Sequence, residues 1–130
     1  MGRSTIERLL AGTYPDPDGG APLKVATRAV AVERSLQGME AELVRALGLG
    51  RRLAIVSDPE THGIMGAQVT RALQGVAAIE NVLLPQQPHA DSETVAHLRA
   101  ATKSADALIA IGSGTVNDLC KYASAQDHKP

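Results

Sequence analysis

Apolar and polar positions alternate along the chain between short apolar runs and longer segments with helical spacing. The apolar runs predict strands at residues 25–33, 52–57, 79–84 and 106–111. Between and after these runs, apolar side chains recur three and four residues apart, which predicts helices of ten or more residues. A shorter helix is predicted at residues 4–10. This alternation is typical of βαβ units, so we predict an α/β fold: a Rossmann-like parallel sheet with helices on both faces.

Polar residues mark where the central helices begin. Asp58 or Ser57 is predicted to cap the helix that follows the second strand, and Ser57 to Glu60 has capping-box spacing. Asp91 is predicted to cap the next helix. The inward face of the first of these helices is predicted to carry Ile64, Met65, Val69, Ala72, Leu73 and Val76.

The last apolar run leads into a glycine-rich turn, residues 112–115, and then into a helical stripe. Two turn positions, Gly112 and Gly114, lack a Cβ atom, so backbone N–H groups can come close to a ligand. The helix N-terminus that follows adds free N–H groups and a partial positive charge, which together favour a phosphate. Asn117 stands where the dinucleotide fingerprint has its third glycine. A tight strand-to-helix turn without a ligand therefore stays open as an alternative.

Three loops follow predicted strands, at residues 57–58, 85–88 and 112–115. Ligands of parallel sheets bind beyond the carboxyl ends of the strands, so we expect these loops to meet at one crevice. Asp58 has two interpretations that are compatible with each other. It can cap a helix, or its carboxylate can accept hydrogen bonds from the adenosine ribose of NAD.

The amino-acid composition limits the kinds of partner and the cellular compartment that we expect for this chain. Apolar residues make up 44% of the 130 positions and the formal net charge is −1, which gives no basic excess for nucleic acid or an anionic membrane surface. A single cysteine excludes an internal disulfide and fits a reducing compartment. Because no secretory segment or membrane-length apolar run is visible, we predict a cytoplasmic location.

Residues typical of catalytic or metal sites are scattered. The four histidines, at positions 62, 89, 97 and 128, show no ligand spacing, so no metal is predicted to bind within this chain. Cys120 falls on the apolar stripe of the last helix and is interpreted as a core residue. No catalytic residue is assigned, because no nucleophile and base or paired carboxylates stand in a recognisable order.

The turn and helix GSGTVNDLCKYA, residues 112–123, resemble the cofactor motif of a known enzyme family. That family unites glycerol dehydrogenases, iron-containing alcohol dehydrogenases, dehydroquinate synthases and sn-glycerol-1-phosphate dehydrogenases. Two further stretches, LLAGTYPDP at residues 9–17 and VSDPETH at 56–62, are similar to the bacterial glycerol-1-phosphate dehydrogenase branch. The likeness covers nearly the whole chain.

The resemblance implies a role and a set of site residues. Residues 1–130 would be the NAD(P)-binding N-terminal domain, and the helical domain with the metal ligands would be absent from this chain. NAD is the expected cofactor, with NADP as the alternative, and Zn, Ni or Fe would bind outside the chain. The parent enzyme would act on a small phosphorylated polyol, and a homodimer stays open. The implied cofactor-binding residues are Asp58, Gly112, Ser113, Gly114, Thr115, Val116, Asn117 and Asp118.

The same resemblance leaves alternatives open. Another enzyme of the superfamily, such as a glycerol or alcohol dehydrogenase or a dehydroquinate synthase, would share this domain. A nucleotide-binding module without catalysis is the third alternative. Asp118 and Lys121 could also serve only as a helix-surface ion pair.

Overall fold

The computed structural model describes residues 4–130. The chain divides into two units, Met1–Leu36 and Gln37–Pro130. The first unit holds helix α1 (Thr5–Ala11). Ser4 caps it, because its hydroxyl accepts a hydrogen bond from the Glu7 N–H while the Glu7 carboxylate accepts one from the Ser4 N–H. Gly12 ends the helix with a φ of +71°, a conformation that favours glycine.

The strand predicted at residues 25–33 is not formed, and this prediction is wrong. The segment has no ladder partner, and its apolar side chains are exposed, Val32 by 80%. A high β-propensity indicates that a residue fits a half-buried pleated surface, and it does not supply that surface. The sheet therefore has three strands where the sequence predicts four.

The second unit contains a parallel sheet in the order β2-β1-β3. Its strands are β1 (Arg52–Ser57), β2 (Ala78–Leu83) and β3 (Ala107–Ala110). In the central strand, Leu53 pairs with Ile79 on one side and with Ala107 on the other. Four consecutive apolar residues of β1 are buried, as expected for a strand covered on both faces.

Helices cover both faces of this sheet, which confirms the predicted architecture. On one face Val56 packs with Leu98 of α5 (Ser92–Ala101) and Leu119 of α6 (Gly114–Gln126). On the other face Ile55 packs with the helix that follows β1. Helix α2 (Glu40–Arg45) contacts the helix that follows β1. It has six residues and is shorter than the ten or more that the sequence predicts. None of the helices within residues 4–130 is both long and apolar enough for a membrane crossing.

The helix after β1 is interrupted by a wider turn. It runs as α3 (Pro59–Thr61), a π-helical turn (His62–Gly66) and α4 (Ala67–Leu73). A π-helical turn takes up an extra residue and so rotates the side chains before it relative to those after it. Ile64 is therefore 73% exposed, and its predicted core position is wrong, whereas Val69 and Leu73 are buried as predicted.

Candidate functional site

A cavity of about 520 Å³ lies beyond the carboxyl ends of the three strands. It is lined by residues that follow each strand: Asp58, Glu60, Thr61, Ile64, Gln86, Gln87, Pro88, His89, Ser113 and Thr115. The structure thus brings the three predicted strand-end loops to one place. Asp58, Ser113 and Thr115 are the predicted site residues that line this cavity.

Asp58 is the N-cap of α3, and its carboxylate is held by one neighbour. The N–H of Thr61 donates to Asp58 Oδ1 at 2.8 Å, and the Thr61 hydroxyl lies 3.0 Å from the same oxygen. In return, the Asp58 N–H donates to Thr61 Oγ1 at 3.1 Å. Of the two caps predicted, Asp58 fills the role, and the partner in the capping box is Thr61 rather than Glu60.

The two glycines of the turn have different surroundings. A Cβ atom at Gly112 would stand 2.9 Å from Val116 Cγ2, closer than real Cβ contacts allow, so the turn packs directly against α6. A Cβ atom at Gly114 would meet no heavy atom within 4 Å. Gly114 lies between the two cavity residues Ser113 and Thr115, so a group approaching the first turn of α6 finds open space there.

The first turn of α6 offers backbone donors to that space. Ser113 is the N-cap, and its side chain makes no capping hydrogen bond. The first bond within the helix runs from the Asn117 N–H to the Ser113 carbonyl oxygen at 3.1 Å. The N–H groups of Gly114, Thr115 and Val116 precede this bond and have no partner inside the helix. With the partial positive charge at the start of a 13-residue helix, they can bind an anion.

Three predicted site residues stand apart from this cavity. The Val116 side chain is fully buried in the core, so only its N–H can reach a ligand. Asn117 is exposed on α6. Asp118 lines a second cavity of about 290 Å³ between α5 and α6, together with the half-exposed Tyr122. No observation tests whether these residues bind a cofactor, so their role stays a prediction.

Sequence reasoning missed Thr61 and Ile64 as cavity residues. Thr61 could have been found from its position three residues after the cap, which is the reciprocal position of a capping box. Ile64 carried no such signal, because a π-helical turn is not visible in the apolar pattern. Of the histidines, His89 lines the cavity, whereas His62 does not and buries an Nδ1 atom that has no hydrogen-bond partner.

Two titratable side chains outside this cavity, Cys120 and Asp91, have shifted pKa values. Burial raises the pKa of Cys120 to about 12, so its thiol stays protonated and packs as an apolar group. Hydrogen bonds from the Thr94 side chain and N–H lower the pKa of Asp91, the cap of α5, and nearby His89 adds to this effect. Within residues 4–130, no three His, Cys, Asp or Glu side chains are grouped as a metal site would require.

The chain matches one protein family and is similar to two individual proteins. Residues 31–130 match the iron-containing alcohol dehydrogenase family. A protein of Halalkalibacterium halodurans named glycerol-1-phosphate dehydrogenase [NAD(P)+] is 33% identical over 84 residues, which is 60% of this chain and 21% of that protein. A Bacillus subtilis protein of the same name is 31% identical over 87 residues, 62% of this chain and 22% of the relative. The aligned part therefore spans about a fifth of these relatives' length.

Proposed function

Because this chain belongs to the iron-containing alcohol dehydrogenase family, we propose that its strand-end cavity binds a nicotinamide dinucleotide. One observation carries the proposal: the N–H groups in the first turn of α6 have no partner within the helix and lie beside open space at Gly114. A pyrophosphate there would accept hydrogen bonds from the N–H groups of Gly114, Thr115 and Val116. The dinucleotide supplies the hydride chemistry, and this chain binds and orients it.

The surroundings of this turn match the remaining parts of the cofactor. Asp58 lines the same cavity as the turn and presents a carboxylate that can accept hydrogen bonds from ribose hydroxyls. The exposed Ile64 side chain offers apolar surface in the same cavity, where an adenine ring can pack. The volume of about 520 Å³ falls within the common range of ligand pockets, about 300–1,000 Å³. Asp118 and its cavity would lie toward the nicotinamide end.

For the parent enzyme, we propose interconversion of dihydroxyacetone phosphate and sn-glycerol 1-phosphate, supported by the names of the two relatives. A divalent metal would polarise the carbonyl group of the substrate in such a reaction. The described residues of this chain supply no donor set for that metal, so no step at a metal is assigned to them. We propose that a separate helical domain outside residues 1–130 holds it. The cytoplasmic location and a homodimer stay predictions.

Calorimetric titration of the 130-residue chain tests this proposal. NAD and ADP-ribose should bind weakly and with similar affinities, because the adenosine and pyrophosphate contacts are those that this chain offers. The chain should show no oxidation of glycerol 1-phosphate with NAD and any added divalent metal. If neither NAD nor ADP-ribose binds, the proposed cofactor role is contradicted. If the purified chain oxidises glycerol 1-phosphate, the proposal that a separate domain holds the catalytic metal is contradicted.

A further inference from the structure

We propose that Thr61 is a positioning residue that sets the choice between NAD and NADP, by fixing the carboxylate of Asp58. This inference rests on the proposed dinucleotide site and extends it to a residue that does not itself need to contact the ribose. It follows from the hydrogen bonds of Asp58, from the position of Thr61 beside the glycine-rich turn, and from a second cap in the same chain that serves as a natural comparison.

Thr61 holds the Asp58 carboxylate at two points. Its N–H and its hydroxyl both reach Oδ1, at 2.8 and 3.0 Å. The Thr61 hydroxyl oxygen also accepts the Asp58 N–H at 3.1 Å, and of the two acceptors near the hydroxyl, Asp58 Oδ1 at 3.0 Å is closer than the Asp58 carbonyl oxygen at 3.4 Å. Two donors on one oxygen fix the carboxylate plane and leave Oδ2 as the oxygen to which ribose hydroxyls can donate.

Thr61 also lies next to the glycine-rich turn. Its hydroxyl oxygen would lie 3.4 Å from a Cβ atom at Gly112, so it adjoins the backbone of the glycine-rich turn. Thr61 and Asp58 are both only partly buried, and both line the cavity. The hydroxyl therefore lies close both to the carboxylate and to the turn that would hold the pyrophosphate.

A fixed carboxylate discriminates between the two cofactors. The 2′-hydroxyl of NAD can donate a hydrogen bond to it, whereas the 2′-phosphate of NADP brings negative charge against it. Without the Thr61 hydroxyl, the Asp58 carboxylate keeps only the Thr61 N–H as a donor and can turn about that single hydrogen bond. NAD then loses a positioned acceptor and NADP loses part of the repulsion, so both changes reduce the preference for NAD.

Calorimetric titration of NAD and NADP into the 130-residue chain and two variants provides the test. Thr61→Val keeps the size and branching of the side chain and removes the hydroxyl, and we expect the NAD-to-NADP affinity ratio to fall about tenfold, or ~1.4 kcal/mol. Thr61→Ser retains a hydroxyl at the same position and should keep the ratio within about twofold, since its oxygen can make the same two contacts.

The chain contains a matched control for the loss of a helix cap. Asp91 caps α5 through the N–H of Thr94 at 2.8 Å, with the same spacing of three residues, and Thr94 lines neither cavity. Thr94→Val and Thr61→Val each remove the hydroxyl three residues after a capping aspartate and keep the N–H that donates to that aspartate. Only Thr61→Val should change the NAD-to-NADP ratio, so a purely structural role of Thr61 would make the two variants alike.

The Asp58→Ala background completes the test. If Thr61 acts through the carboxylate, then adding Thr61→Val to Asp58→Ala should leave the ratio unchanged, since the two effects are not additive. A wild-type chain that prefers NAD, with the preference intact in Thr61→Val, would overturn this inference and leave the dinucleotide site standing. A wild-type chain that binds neither NAD nor NADP would overturn both.

Discussion

Replacing Gly114 by valine is the sharpest perturbation of the proposed phosphate site. The position is open in the folded chain, because a Cβ atom there would meet no heavy atom within 4 Å. The valine side chain should therefore fit the protein and occupy the space through which a pyrophosphate must approach the first turn of α6. The variant separates ligand binding from folding in a way that Gly112 cannot, since a Cβ atom at Gly112 would press on Val116.

The expected magnitude follows from the hydrogen bonds at this turn. A hydrogen bond to a charged group contributes about 1.5–3 kcal/mol, so losing one N–H contact to the pyrophosphate should raise the Kd about 10- to 150-fold. The free energy of unfolding without ligand should change by less than about 1 kcal/mol, because replacing glycine also restricts the unfolded chain. Gly114→Ala, with a smaller side chain, should weaken binding less than Gly114→Val.

Calorimetry with ADP-ribose measures the binding loss, and thermal unfolding monitored by circular dichroism measures stability. Gly75→Val is a matched control, because Gly75 is also exposed, has no heavy atom near its Cβ position, and precedes β2 rather than following it. This control should bind ADP-ribose like the wild type. Equal affinities of Gly114→Val and the wild type would refute the reasoning and remove the phosphate from this turn.

Three further predictions concern cofactor choice, acid stability and the core. Asp58→Ala should narrow the NAD-to-NADP affinity ratio measured by calorimetry, and an unchanged ratio would leave Asp58 as a helix cap only. Arg99 donates to Asp127 at 2.8 Å and lowers the pKa of that carboxyl from its ordinary value of 3.8. The contact therefore stabilises the fold above pH 3.8, and this stabilisation is lost as the pH falls through the lower pKa of the native state. Asp127→Asn should thus lower the melting temperature at pH 7 and reduce the further fall in melting temperature between about pH 5 and about pH 2, whereas unaltered acid sensitivity would contradict the assignment. Leu119→Ala should lower the free energy of unfolding, measured by urea titration, by about 2–5 kcal/mol, because the side chain is fully buried between α6 and the sheet. A decrease of less than about 1 kcal/mol would contradict that placement.

Much of the second unit could be predicted from the sequence, since its signals are local. The run from Leu53 to Val56 is continuous because the central strand is buried on both faces, and that pattern is visible without a structure. The positions of Asp58, Ser113 and Thr115 at one cavity follow from parallel strands that all end on the same edge.

The remaining errors have physical causes that the pattern does not contain. Residues 25–33 can form a strand only if a neighbouring strand is available for pairing. The alternation of valine and alanine does not show whether such a strand exists. The exposure of Ile64 depends on a π-helical turn, whose extra residue changes the phase of the apolar stripe. Asp118 lines the cavity beside α5 rather than the strand-end cavity, and its role in cofactor binding stays a prediction.

The central claim is that the turn between β3 and α6 binds the pyrophosphate of a dinucleotide. Titration of the ¹⁵N-labelled chain with ADP-ribose, followed by amide resonances in NMR spectra, tests it most directly. We expect the largest shifts at the N–H groups of Gly114, Thr115 and Val116, with smaller shifts at Asp58 and Thr61, which line the same cavity. Saturable shifts elsewhere, with those three amides unmoved, would contradict it.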